Sequence, residues 1–320
     1  FDSARLLQHK VITADELPLL SSKGEMVWKF RPRGSSRNPY ILRKDQVLIN
    51  ILQNVAKDDW KRPVYFANTM GGSSFLNLSD FFRMEGLAYR VVPIQRSTQT
   101  PNDIYFGWVS QDRMEETLRD RLAYSGLDDP RVNHDEHIRQ VIMGNYRNCF
   151  FRLANTYGDQ IVQLEKENQA LIDSIKNQKI AQDTAQSIIN TNNAYIAFAQ
   201  QKIVELLRDS EEEMPSSVVE KSMNLHLTEF QLLDRVNLRD EMVNQLDRMV
   251  PYAMDQLEGY TQDNIKIDNR NMAMRGVLVG IQFVKMVDPA KAKAWAEELY
   301  ARTGKEVGLQ LLQQQGSRGK

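Results

Sequence analysis

PVYFANTMGGSSFLNLSDFFRMEGLAYRVVP, residues 63–93, decides the fold class, because two strand signals lie in it on either side of a glycine break. The run from Pro63 to Asn68 is short and apolar, and its proline stands at the first position, where the missing N–H costs a sheet least. Gly71-Gly72 interrupts the chain, residues 77–86 can form a short helix, and the run from Ala88 to Pro93 reads as the next strand. Upstream, residues 45–57 (DQVLINILQNVAK) place Val47, Leu48, Ile51, Leu52 and Val55 on one face of an amphipathic helix. Before that helix, Met26 to Phe30 alternates like a strand between two turn-rich stretches in an otherwise irregular segment 1–39. The order over 24–95 is therefore βαβαβ-like, and parallel pairing would demand right-handed crossovers.

Downstream the pattern changes. Residues 97–102 (STQTPN) are polar with a proline and read as a linker; beyond them strand signals vanish. Helical periodicity then predicts helices over 111–124, 135–177, 182–190, 194–208, 217–233, 238–257, 272–286 and 289–303, with breaks at 126–130, Pro215, Pro251 and Asp288-Pro289. Asp288 is a suitable N-cap, and Pro289 stands where its fixed φ suits a first helical position. Residues 163–179 are charged and amide-rich with a stripe of Leu164, Leu171, Ile172 and Ile175, which predicts a long exposed helix or coiled-coil-like arm. The expected class is α+β: a small α/β module with an irregular N-terminal segment over 1–100, then a larger α-helical array over 101–320.

The totals fit that division. At 320 residues a single core has usually stopped growing, and 42% hydrophobic with 26% charged residues argues for packed domains rather than disorder. Lys and Arg number 41 against 42 Asp and Glu, so the chain as a whole has no electrostatic pull toward nucleic acid. One cysteine, Cys149, excludes an internal disulfide. No apolar run reaches the roughly 18 residues needed to span a bilayer, and Phe1-Asp2-Ser3-Ala4-Arg5 is neither an initiator methionine nor a signal peptide; the chain reads as a piece of something longer.

Three blocks carry a resemblance: NPYILRKDQ at 38–46, WKRPVYFA at 60–67 and MEGLAYRVVP at 84–93. In that order and spacing they resemble the extracytoplasmic C-terminal region of bacterial multi-spanning membrane proteins related to protein O-mannosyltransferases, which are glycosyltransferases with the C-type membrane fold. DPRVN at 129–133, NYR at 145–147, FRLA at 151–154 and residues 203–215 continue the likeness, the last resembling a tetratricopeptide-like helix that ends at Pro215. The resemblance implies a tetratricopeptide-like array on the periplasmic face of a bacterial inner membrane. It also implies that sugar donor binding and the catalytic carboxylate belong to a membrane-embedded part outside these residues.

Candidate sites remain modest. His134-Asp135-Glu136-His137 puts two imidazoles at i and i+3, a spacing that can share a metal; without a third ligand nearby, the carboxylates more simply favour the start of a helix. Gly71-Gly72-Ser73-Ser74 can cradle an anion, but no lysine completes a P-loop and a tight turn suffices. Between Lys23 and Arg62 ten basic residues face four acidic ones, a local excess of +6. That segment reads as a solvated basic face, or, beside a membrane, as one that meets lipid headgroups or the phosphates of a lipid-linked donor. Trp60, Tyr65, Phe66, Phe81, Phe82 and Tyr89 read as inward packing residues, with a sugar platform as the alternative. The residues selected for binding are Arg43, Lys44, Arg62, Gly71, Gly72 and Arg90. His9, His134, His137 and His226 stand in no nucleophilic motif, so no catalytic residue and no cofactor is expected. The expected role is a non-catalytic domain that binds an acceptor polypeptide or a partner protein. The alternatives are an envelope scaffold and, third, an enzyme built on the Gly71-Gly72 turn.

Overall fold

A computed structural model describes residues 1–30, 32–35, 37–96, 106–132, 135, 138–177, 181–258 and 267–313. The chain divides into two compact units, Phe1–Thr156 and Tyr157–Lys320. The first holds all the described strands and the second is helical, so the molecule is α+β.

The first unit opens with α1 (Ser3–Gln8), whose N-cap Asp2 accepts from the Ala4 N–H. Two strands, β1 (Arg33–Ser35) and β2 (Asn38–Tyr40), form an antiparallel hairpin. The expected strand at 26–30 is absent; pairing begins at Arg33 instead, where Gly34 at φ +87° and the turn around Arg37 allow the chain to fold back. The amphipathic helix follows as α2 (Arg43–Lys57), burying Asp45, Leu52 and Val55. It ends in two successive left-handed residues, Asp59 and Trp60, which turn the Trp60 ring inward.

A four-stranded sheet then forms from β3 (Tyr65–Ala67), β4 (Phe82–Met84), β5 (Ala88–Val91) and β6 (Trp108–Val109), in the order β3-β5-β4-β6. This corrects the expected parallel arrangement. β5 pairs antiparallel with both β3 and β4, and only β4 and β6 are parallel. The reason is local: residues 77–86 hold one 3₁₀ turn (Ser79–Phe81) and then a strand, not a helix. Three residues separate β4 from β5, which permits a hairpin but no crossover. Gly107, at φ +71°, lets the backbone enter β6 beside β4; a Cβ there would lie 2.3 Å from the Phe82 carbonyl oxygen. The sheet's core is aromatic. Phe75 meets Phe66, Phe82, Tyr89 and Phe106 edge-on, with centroids 4.8–6.0 Å apart, while Phe82 stacks on Tyr89. Helix α3 (Gln111–Glu116) continues into a π turn at Thr117–Arg121, and another π segment (Ile138–Met143) leads into α4 (Gly144–Lys176).

In the second unit α5 (Gln182–Glu213) runs unbroken through 190–193, where two separate helices are expected from the sequence. The asparagines there are satisfied by the neighbouring helix: Asn168 donates to Asn193 and Asn192 donates to Asn168, at 2.9 and 2.8 Å. α6 (Met223–Arg235), α7 (Arg239–Glu258), α8 (Ile267–Val284), α9 (Pro289–Thr303) and α10 (Val307–Gln313) complete the unit, with α7 packed on α6, α8 and α9. Pro251 does not break its helix. It sits exposed inside α7 while Val250, Ala253 and Met254 are buried, and their packing outweighs a lost hydrogen bond worth about 3 kcal/mol with its strain. Asp288 caps α9 by accepting from the Lys291 N–H, and Gly304 ends it in the left-handed conformation. Among the described residues no helix is long and apolar enough to cross a membrane.

Candidate recognition sites

Two neighbourhoods in the first unit and one in the second bring functional groups together. The first is a cleft of about 220 Å³ lined by Phe30, Arg33, Tyr40, Asp45, Gly72 and Asn77, among others. Asp45 lies in the first turn of α2, where a carboxylate suits the helix dipole, and its side chain is turned inward to meet Arg33 Nε at 3.2 Å. The same guanidinium donates to the Ser73 carbonyl at 3.1 Å, which ties the glycine turn to the hairpin. Gly71 and Gly72 are exposed, and Gly72–Ser74 is a single 3₁₀ turn. Its Ser74 and Phe75 N–H groups are taken by the Gly71 and Gly72 carbonyls, so those two donors are already committed within the turn. Asn77 donates to the Lys29 carbonyl at 3.1 Å.

The second neighbourhood is a buried ion network at the β4–β5 hairpin. Arg83 is wholly buried; its Nε and one terminal nitrogen donate to Glu85 Oε1 at 2.9 and 2.7 Å, and the other donates to Glu16 at 3.1 Å. Arg90 and Arg113 approach the same Glu85 carboxylate at 3.8 and 3.7 Å, and the Tyr65 hydroxyl donates to it at 3.1 Å. Burial first, and then the negative charge of Glu85, pushes the Tyr65 phenol above its usual range. Burial also pulls Arg90 below the usual guanidinium value, and Glu85 only partly restores it.

The selected residues therefore separate. Gly72 joins the cleft and Arg90 the network, while Arg43 and Lys44 stand exposed on the first turn of α2 and Arg62 stands exposed before β3. His134 and His137 lie outside the described residues, and so do residues 97–102. Of the six aromatics weighed for a sugar platform, five are buried; Tyr65 alone is half-exposed. No motif in the sequence marks Arg33, Asp45 and Asn77 of the cleft or Glu16, Arg83, Glu85 and Arg113 of the network as site residues. The alternation Phe82-Arg83-Met84-Glu85 carries a signal for the second group, since charges on a strand inside an apolar run must pair to be buried.

In the second unit α5, α6 and α7 line an open groove of about 460 Å³ whose walls include Val204, Leu207 and Leu233 with Arg208, Glu211 and Arg248. Behind it Lys221 is buried between Glu229 and Glu211, at 2.9 and 3.0 Å. The Gln245 side-chain amide donates to His226 Nδ1 at 3.0 Å, a packing contact within the helices. In the first unit Cys149 is buried, its thiol directed at the Asn145 carbonyl, and burial pushes it up to about 12. A thiol held there is almost entirely protonated at neutral pH and a poor nucleophile.

Residues 2–113, the part that holds the hairpin, α2 and the sheet, match a family model described as TMEM260-associated domain 2. By that description the matched segment is of a kind associated with a membrane protein. No curated protein and no solved structure matches the chain.

Proposed function

We propose that this chain is a non-catalytic recognition domain of a larger glycosyltransferase-like membrane protein, positioned on the extracytoplasmic side, whose helical unit receives an acceptor polypeptide. The observation that carries the reading is the match of residues 2–113 to a domain family named for its association with a membrane protein. The resemblance of the blocks at 38–46, 60–67 and 84–93 to membrane O-mannosyltransferase relatives supplies the sugar-transfer context. The non-catalytic part rests on how the reactive groups are used. Glu85 is held by three arginines, Lys221 by two glutamates, and the Cys149 thiol is buried and protonated. The polypeptide part rests on the α5–α7 groove, which sets the apolar Val204, Leu207 and Leu233 among carboxylates and guanidinium groups, chemistry suited to a peptide rather than to a single small anion.

Pull-down with the purified chain against candidate acceptor polypeptides tests this. Weak binding to several acceptors that is lost in Val204→Asn/Leu207→Asn, together with reduced glycosylation when the full-length protein carries the same changes, is the expected result. Retrieval of one stoichiometric partner with glycosylation unchanged would replace the proposal with an assembly scaffold. Turnover of any substrate by the purified chain would overturn the non-catalytic assignment.

A further inference from the structure

The hairpin and α2 share an unusual surface. From Gly34 to Ile41 every described residue is exposed, although an isolated two-stranded hairpin is only marginally stable in water. Tyr40 and Ile41, at its exit, are 53% and 38% exposed. On the adjoining helix Val47 and Ile51 are 50% and 45% exposed and lie one turn apart, on the flank that begins with Arg43 and Lys44. Four large apolar side chains thus stand in water beside a row of cations.

The accessible charge of residues 37–62 is more one-sided than composition shows. Arg37, Arg43, Lys44, Lys57, Lys61 and Arg62 are all exposed, whereas two of the three carboxylates in the same stretch are buried and already paired, Asp45 with Arg33 and Asp59 with Arg5. Asp58, at the end of α2, is the exposed exception. We infer that the hairpin and the α2 flank form a docking face for an anionic lipid bilayer, with Tyr40, Ile41, Val47 and Ile51 entering the headgroup layer and Arg37, Arg43 and Lys44 meeting its phosphates. Charge complementarity selects an anionic occupant. The apolar side chains interleaved with the cations select a bilayer, because a purely solvated basic face gains nothing from exposing aliphatic groups, whereas an interface accepts both kinds of side chain at once. This inference stands apart from polypeptide binding by the second unit and survives or fails without it.

Co-sedimentation of the whole chain with sucrose-loaded vesicles tests it, using phosphatidylcholine alone and phosphatidylcholine enriched in phosphatidylserine. The chain is expected to partition onto the anionic vesicles and to leave them as salt rises. Arg43→Gln/Lys44→Gln should lower the partition constant on the order of 30-fold, and Val47→Ser/Ile51→Ser by about tenfold or more. All four positions are exposed, so an unchanged thermal melt confirms that the fold is intact; Lys166→Gln/Lys293→Gln, exposed in the other unit, should bind as the parent does. Equal sedimentation with neutral and anionic vesicles overturns the inference. So does full binding by the Val47/Ile51 variant when the charge variant has lost it, since that outcome describes attraction to any polyanion or acidic protein.

Discussion

Glu85 is the residue on which the first unit's buried charge depends. Its carboxylate meets Arg83, Arg90 and Arg113, and the Tyr65 hydroxyl also donates to it. Removing it would leave a fully buried guanidinium with Glu16 as its remaining carboxylate partner. Glu85→Ala is therefore expected to cost about 3–5 kcal/mol, read as a lower urea midpoint at constant m. Arg83→Met removes the charge and fills its space, and should cost less; the reverse ranking would mean that Glu16, not Glu85, is the main counter-charge. In the second unit, burial alone would raise the Glu211 carboxyl, but Lys221 and hydrogen bonds from Ser216 outweigh it and hold the group below its ordinary value of 4.5. A folded value below the unfolded one means that the unfolded chain binds more protons as acid is added. The stability contributed by Glu211 is thus present above about pH 4.5 and lost as pH falls through the lowered folded value. Unfolding titrations of the parent chain and Glu211→Gln should differ at neutral pH and converge below that point.

Elements were legible where one local pattern was enough. Helix α9 runs over the residues that the sequence predicts, because Asp288, Pro289 and Gly304 each act within a turn of themselves. Helix α2 is found two residues longer at its start than its apolar face suggests. β4 was hidden, because Phe82-Arg83-Met84 is too short to show a period and only pairing with β5 and β6 makes it a strand. The candidate site was less legible than the fold: the Arg33–Asp45 pair joins a strand to a helix, and the Arg83–Glu16 pair spans 67 residues. Helix α8 shows the same dependence in its glycines. A Cβ at Gly280 would lie 2.3 Å from the branched Val250 side chain, whereas one at Gly276 would lie 2.3 Å from the terminal methyl of Met223. Gly280→Ala should destabilise by about 1–3 kcal/mol, because Val250 cannot swing away. Gly276→Ala should be neutral or stabilise by up to about 1 kcal/mol, because methionine can move and alanine favours the helix. Thermal and urea melts of the two variants separate these outcomes.

At the scale of the whole molecule the charge is unevenly placed. Residues 23–62 carry +6 in a chain whose total is −1, which leaves −7 for the remainder. Above the isoelectric point of about 6.5 that its composition gives, the protein is therefore expected to be retained on a cation exchanger at low salt, through the face around α2. Arg43→Gln/Lys44→Gln should elute earlier than the parent, and elution of both in the void would show that the acidic remainder masks that face. The sequence by itself determined that this chain is α+β, that helices dominate its later two-thirds, where several of those helices begin and end, and that one segment is strongly basic. Each of those properties is a local pattern of side chains along the chain. Tertiary structure alone decided the strand order, the continuity of α5 and α7 through Asn190 and Pro251, and which charges are spent in buried pairs. Those outcomes depend on partners distant in sequence, and the free energy of burying a charge or keeping a helix intact is set by what the fold places beside it.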